Sequence, residues 1–135
     1  MNPQGFPVLI ARFLLALMFV LAGISKFAGL EGTAGYIASK GLPLPQLLAF
    51  ATALIEVVGG VMLIVGWQAR WAALALAAFT ALASVIFHNY WSLPADKQMI
   101  DQLMFMKNLS VVGGLLMVFG FGAGSLSLDG RRAAT

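Results

Sequence analysis

From Leu47 to Trp67 the chain reads LLAFATALIEVVGGVMLIVGW, a stretch whose one charged residue, Glu56, falls close to its middle. Such a run is long enough to cross a bilayer. An ionisable side chain at that depth costs several kcal/mol unless a partner or a wet cavity receives it. At helical spacing its neighbours are Ala49, Thr52, Ala53, Gly59 and Gly60, whereas Leu54, Ile55, Val58, Val61 and Met62 lie opposite. Glu56 therefore belongs to the small-residue face, where another helix can come close. The rest of the chain has to supply its partners.

Apolar runs predict four spans, at about 6–27, 46–66, 71–88 and 103–121. Only 10% of the residues are charged, where a soluble domain carries about 25%. At 135 residues the chain makes one domain, 1–135. The expected fold is all-α: an integral membrane four-helix bundle with antiparallel neighbours. Arg12 interrupts the first run and no A-x-A-like site follows it, which argues for a retained span rather than a signal peptide. Gly29–Pro45 is too polar to span, and a short interfacial helix is expected over Thr33–Lys40, ended by Gly41 and Pro43. Trp67–Arg70 is a tight connection. Asn89–Asp101 is a polar loop with Tyr90 and Trp91 at interfacial depth. In the third span Ala69, Ala73, Ala77, Ala81 and Ser84 form a small-residue stripe, and His88 continues its line. The tail from Gly122 is polar.

Val57-Val58-Gly59-Gly60 in the second span is echoed by Val111-Val112-Gly113-Gly114 in the fourth, with Gly66 and Gly120 following at equal distances. This is either a parallel repeat of two helical hairpins about an axis along the membrane normal or a coincidence of Val- and Gly-rich segments. Gly59, Gly60, Gly113 and Gly114 read as helix-packing notches.

The polar residues stack by depth. Arg12, Ala16, Phe19, Gly23 and Lys26 share one face of the first span, so its two cations lie about 21 Å apart. Alternating helix directions bring Lys26, His88, Lys107 and Asn108 to one side, put Arg12 toward the other, and leave Glu56 between. Arg12 is offset from Glu56 by about 8 Å. Glu56 is thus predicted to be buried and bonded to Arg12 or to the Lys107 side of the column. Three cations against one carboxylate favour an anion, or an acceptor that gains negative charge. The plainer alternatives are snorkelling of Arg12, Lys26 and Lys107, a purely structural ion pair at Glu56, and a capping role for His88. Glu56 and His88 are the candidates for proton handling in catalysis.

Composition narrows the chemistry. With no cysteine, the chain has no disulfide, thiolate nucleophile or iron–sulfur ligands of its own. One histidine cannot supply bis-His haem or a copper site, so no metal is expected. There is no glycine-rich nucleotide motif and no basic run with interleaved aromatics for nucleic acid. Among redox molecules a quinone fits best. Its ring needs an apolar slot, its carbonyls need donors such as His88, Asn108 or Lys107, and a charged donor stabilises the reduced anion. With Arg12, Lys26 and Lys107 set aside as buried, Arg70, Arg131 and Arg132 on the side of the termini outnumber Lys40 and Lys97. That bias favours cytoplasmic termini.

Arg12 with FVLAGISKF, LIEVVGGVMLIVGW, FHNYW, LMFMKNLSVVGG and GAGSLSLD together resemble the DoxX family of small bacterial membrane proteins. The pieces run through all four spans in order, and LMFMKNL is the most specific. The resemblance implies an inner-membrane protein and maps Arg12, Lys26, Glu56, His88, Lys107 and Asn108 onto the family motif. The family takes its name from a subunit of an archaeal thiosulfate:quinone oxidoreductase. Other members are linked with membrane oxidoreductase complexes, thiol stress or quinone-like aromatics. A membrane or soluble oxidoreductase subunit is the partner that this implies, beside membrane lipid and a second copy of the chain. Three function classes stay open at this point: a quinone-linked redox component, a structural or assembly subunit without chemistry of its own, and a small proton-coupled transporter.

Overall fold

A computed structural model describes residues 5–134. Its helices are α1 (Gly5–Ala28), α2 (Leu30–Ser39), α3 (Pro45–Val65), α4 (Ala69–Phe87), α5 (Gln98–Phe121) and α6 (Leu128–Ala133). The helices α1, α3, α4 and α5 lie in segments long and apolar enough to cross a membrane. They alternate in direction, so the bundle is antiparallel. Trp67 and Trp71 mark one end, and Tyr90 and Trp91 the other. From Trp71 to Tyr90 the helical rise amounts to about 28 Å, close to the ~30 Å of a hydrocarbon core.

Small residues hold the helices together. Ala16, Ala49, Ala53, Ala69 and Ala73 are completely buried, while Leu14, Leu21, Leu54, Val58, Leu82 and Leu116 are exposed. That is the arrangement expected where apolar side chains gain nothing by leaving lipid for each other. Gly23 of α1 sits against Val57 and the Ala53 carbonyl of α3, and Gly60 sits against Val20 and Ala16. Gly59 lies under Leu76 of α4, and Gly114 meets Leu15 of α1. Gly60 and Gly114, equivalent in the internal echo, thus both receive α1. Gly113 has open space around it, so it is not the packing notch that its sequence suggests. Ala81 is exposed, and Thr80 takes its place in the buried stripe of α4.

Two boundaries differ from the sequence reading. Helix α2 starts at Leu30 rather than Thr33, and α5 starts at Gln98, five residues ahead of its apolar limit. Hydropathy marks where lipid begins, not where backbone hydrogen bonding begins.

The tail, which reads simply as polar, is a built element. Ser127 caps the short α6, accepting from the Gly130 N–H at 2.9 Å. Asp129 accepts from the backbone N–H groups of Gln68 and Ala69, both at 2.9 Å. It thereby caps the start of α4 from a distant part of the chain. Gly66, at φ 68°, ends α3 in a left-handed turn, and a Cβ there would run into Ser127 and the Arg12 guanidinium. Its carbonyl accepts the Asp129 N–H at 2.9 Å. Arg70 donates to the carbonyls of Phe119 and Gly120 at 3.2 and 3.1 Å. Helix ends leave donors and acceptors that must find partners, and at this end of the bundle the tail supplies many of them. Asp129→Ala should therefore lower stability by about 1–2 kcal/mol, the usual cost of a lost helix cap. Thermal unfolding in mild detergent checks this, and an unchanged midpoint would contradict the capping role.

Candidate functional site

The two cations of α1 have separate fates. Helical Cα–Cβ bonds tilt toward the helix N-terminus. Arg12 therefore leans toward the end where the chain termini lie, and Lys26 leans back into the bundle. Helix α3 runs the other way, so Glu56 leans toward the level of Lys26. The packing of Gly23 on Ala53 and Val57 brings the two to the same depth. Lys26 Nζ donates to Glu56 Oε2 at 2.6 Å and to Oε1 at 2.8 Å. Only 7% of the Glu56 side chain is exposed, against 30% for Lys26, which puts the carboxylate in the interior and the ammonium at its edge.

Of the two pairings anticipated from sequence, the Arg12–Glu56 ion pair does not form, and Glu56 bonds to the opposite side of the column, through Lys26 rather than Lys107. Arg12 is 1% exposed, and its two terminal nitrogens donate to backbone carbonyls: Ala123, Leu126 at 2.9 Å and Ile64 at 3.3 Å, while its Nε has no partner among the described residues. It sits level with Gly66, ten residues from Glu56 along α3, or about 15 Å. Arg12 is thus the fastening point of the tail, not part of the column around Glu56.

Lys26 and Glu56 line a cavity of about 230 Å³ in the half of the bundle nearer α2. Met18, Phe19, Phe79 and Phe87 give it apolar walls, and Thr52, Thr80, His88 and Asn108 give it polar points. Thr33, Tyr36 and Ile37 of α2 lie across its end. Thr80 is 5% exposed, and its hydroxyl has no hydrogen-bond partner among the described residues. Its carbonyl is occupied, accepting from Ser84 Oγ at 2.7 Å.

His88 stands at the rim. Its Nδ1 lies 2.9 Å from Asp101 Oδ1; with Nδ1–H donating to that carboxylate, Nε2 is the nitrogen that carries the lone pair. The Tyr36 hydroxyl donates to the Phe87 carbonyl at 3.4 Å. Burial and the nearby Asp101 carboxylate push the Tyr36 phenol above its usual range, so at neutral pH it stays a protonated donor.

Of the six polar residues singled out in the sequence, the cavity gathers Lys26, Glu56, His88 and Asn108. Arg12 lies at the opposite end, and Lys107, exposed on α5, stands outside. With Arg12 and Lys107 outside it, the cavity holds one cation, Lys26, against one carboxylate, Glu56, so the positive excess inferred from sequence is gone. Asp101 and Thr80 are additions that the sequence reading does not contain. Asp101 hides at the end of the loop assignment, because the first turns of α5 lie beyond the apolar run. Thr80 follows Ala77 and precedes Ser84 at helical spacing, a signal that the neighbouring Ala81 obscures.

Lys26→Gln or Glu56→Gln strands one charge and should cost about 3–5 kcal/mol. The double replacement should recover part of the loss, whereas Arg12→Gln added to Glu56→Gln should recover none. Thermal unfolding of the set in detergent distinguishes these outcomes.

Comparison with known proteins points one way. The DoxX family model matches residues 7–89. Inner membrane protein YphA of Escherichia coli is 35% identical over 92% of this chain and 89% of its own length. Inner membrane protein YqjF of the same organism is 36% identical over 90% of the chain and 88% of its own length. The ER-derived vesicles protein ERV29 of Saccharomyces cerevisiae is 25% identical over 96% of the chain, which spans 34% of that protein. No solved structure gives a significant match.

Proposed function

This chain belongs to the DoxX family of multi-pass inner-membrane proteins, and from that premise we propose that its cavity binds the ring of a quinone on behalf of a partner oxidoreductase. The observation that carries the reading is the unpartnered Thr80 hydroxyl, buried in the wall of a cavity that Met18, Phe19, Phe79 and Phe87 make largely apolar. A buried hydroxyl without a partner is expensive, and a carbonyl oxygen of a bound ring is the acceptor that would satisfy it. The volume of about 230 Å³ lies below the ~300–1,000 Å³ of ordinary ligand pockets. It suits one ring rather than a ring with its whole tail. Phe19, Phe79 and Phe87 can flank such a ring, and Asn108 offers a second donor.

A quinone would supply an acceptor of two electrons and two protons, with the partner subunit as the electron source. The chain's own residues orient the ring and handle protons. Lys26 holds an ammonium at the cavity edge, where it stabilises negative charge developing on an oxygen. Glu56 keeps that ammonium in place. His88, oriented by Asp101, exchanges a proton through Nε2 between the rim and the interior.

Purified protein in lipid nanodiscs should bind a decyl-substituted benzoquinone saturably, and Thr80→Val should weaken binding by about tenfold, the worth of one hydrogen bond of ~1.4 kcal/mol. Absence of saturable binding in the parent would overturn the proposal. If such a protein nonetheless formed a stable complex with an oxidoreductase subunit, the structural or assembly role would replace it.

Lys107 is exposed rather than buried as expected, but it lies within the apolar run of α5 and so is not a loop charge; on that count we also place both termini in the cytoplasm, since Arg70, Arg131 and Arg132 gather at that end against Lys40 and Lys97 at the other. A reporter fused to the C-terminus should be active only in its cytoplasmic form, and activity confined to the periplasm would reverse the assignment.

A further inference from the structure

Helices α1 and α5 meet at one level and separate from there. The face of α5 that looks toward α1 follows helical spacing through Val118, Gly114, Val111 and Lys107. Val118 is buried, Gly114 and Val111 are half-buried, and Lys107 is exposed. Exposure thus rises steadily toward the α2 end. The contact that closes the pair is Leu15 on Gly114. Beyond it, Met18 and Ala22 of α1 are only half-buried. Register across the antiparallel pair sets Ala22 level with Lys107, and a side chain of one methyl group does little to fill the gap there. Among the described residues, Asn108 is the one that α5 contributes to the cavity wall.

The approach from water is different. Helix α2 lies across the cavity end through Thr33, Tyr36 and Ile37. Tyr36 ties it down to Phe87 by its hydroxyl and by ring contact at 5.3 Å between centroids. On the other three sides α1 packs on α3, α3 on α4 and α4 on α5.

We propose that the widening cleft between α1 and α5 is a lateral door from the bilayer, and that the ligand is accordingly a ring bearing a long apolar tail, which stays between the helices when the ring is seated. This rests on the reading of the cavity as a ring-binding site. It adds the route and the class of molecule that can use it. A tail leaving by this cleft passes the exposed face of α5, where Gly113 offers open space, and the ring passes the ammonium of Lys107. A water-soluble ring without a tail would gain nothing from a door that opens into lipid.

The absence of cysteine makes the door testable. Ala22→Cys with Val111→Cys places one thiol on each side of the cleft. A short bifunctional thiosulfonate reagent would bridge them, and a reductant would release the bridge. The same preparation in nanodiscs is then compared in both states, with decyl-substituted and unsubstituted benzoquinone as probes. Bridging should slow uptake of the decyl compound at least tenfold, and reduction should restore it. The unbridged protein should bind the decyl compound at least tenfold more tightly than the unsubstituted ring. Uptake at equal rates in the bridged and reduced states would overturn the lateral door while leaving ring binding intact. Equal affinity for both probes would overturn the tail. No binding of either probe to the reduced protein would instead overturn the ring-binding reading itself.

Discussion

A carboxylate inside a bilayer has to be matched from within the protein, and the match between Glu56 and Lys26 governs much of what surrounds it. The pair ties α1 to α3 at one depth and so fixes the sliding register that the glycine contacts at Gly23 and Gly60 leave shallow. Neither partner alone is tolerable there. Desolvating an ion costs several kcal/mol, and Lys26 meets this by keeping its ammonium at the edge of a cavity while its stem lies along the helix. The cavity itself is a consequence. Two helices held by small residues and an ion pair cannot also be filled by large side chains at the same level, so the space beside the pair stays open.

Backbone satisfaction explains the opposite end. Where α3 and α5 end and α4 begins near the membrane boundary, the last carbonyls and first N–H groups have no partners within their own helices. Arg12, Arg70 and Asp129 reach these groups from elsewhere in the chain. A guanidinium suits this task because its donors fan out in a plane, and Arg12 serves three carbonyls from two segments at once. The polar tail motif is therefore structural in its own right: Ser127 turns the chain, and Asp129 returns to the start of α4.

The four spans and the antiparallel bundle can be read from hydropathy and charge alone, as can the buried small residues on three helices. The cluster of Lys26, Glu56, His88 and Asn108 is legible too, because helix alternation dictates which ends share a side. Of the two sides of the column offered to Glu56, the Arg12 side fails for a specific reason. The apolar limits of the spans put Arg12 about 8 Å from Glu56, whereas the contacts at Gly23 and Gly60 set a register in which Arg12 is level with Gly66. The tilt of Cα–Cβ bonds then carries Arg12 and Glu56 further apart and brings Lys26 and Glu56 together. The distant bonds of Arg12 and Asp129 are not legible in this way. They depend on the fold of a tail with no periodic pattern to place it. Lys107 falls outside the cluster because α5 turns only a narrow stripe inward, and a single residue step of about 100° moves a side chain from Asn108's face to the lipid.

The two ends of the bundle are fastened by different kinds of bond, and this has a mechanical consequence. One end is stitched by backbone groups and buried guanidinium donors, with residues distant in sequence locked to one another. The other is held through side chains: the Lys26–Glu56 pair, the Tyr36 contacts on Phe87, the ring cluster of Tyr90, Trp91 and Phe105, and His88 on Asp101. A structure so fastened behaves as a clothes-peg: stiff at the hinge, compliant at the jaws. Any parting of α1 from α5 would therefore pivot about the stitched end, since that is where distant segments are bonded to one another through backbone groups.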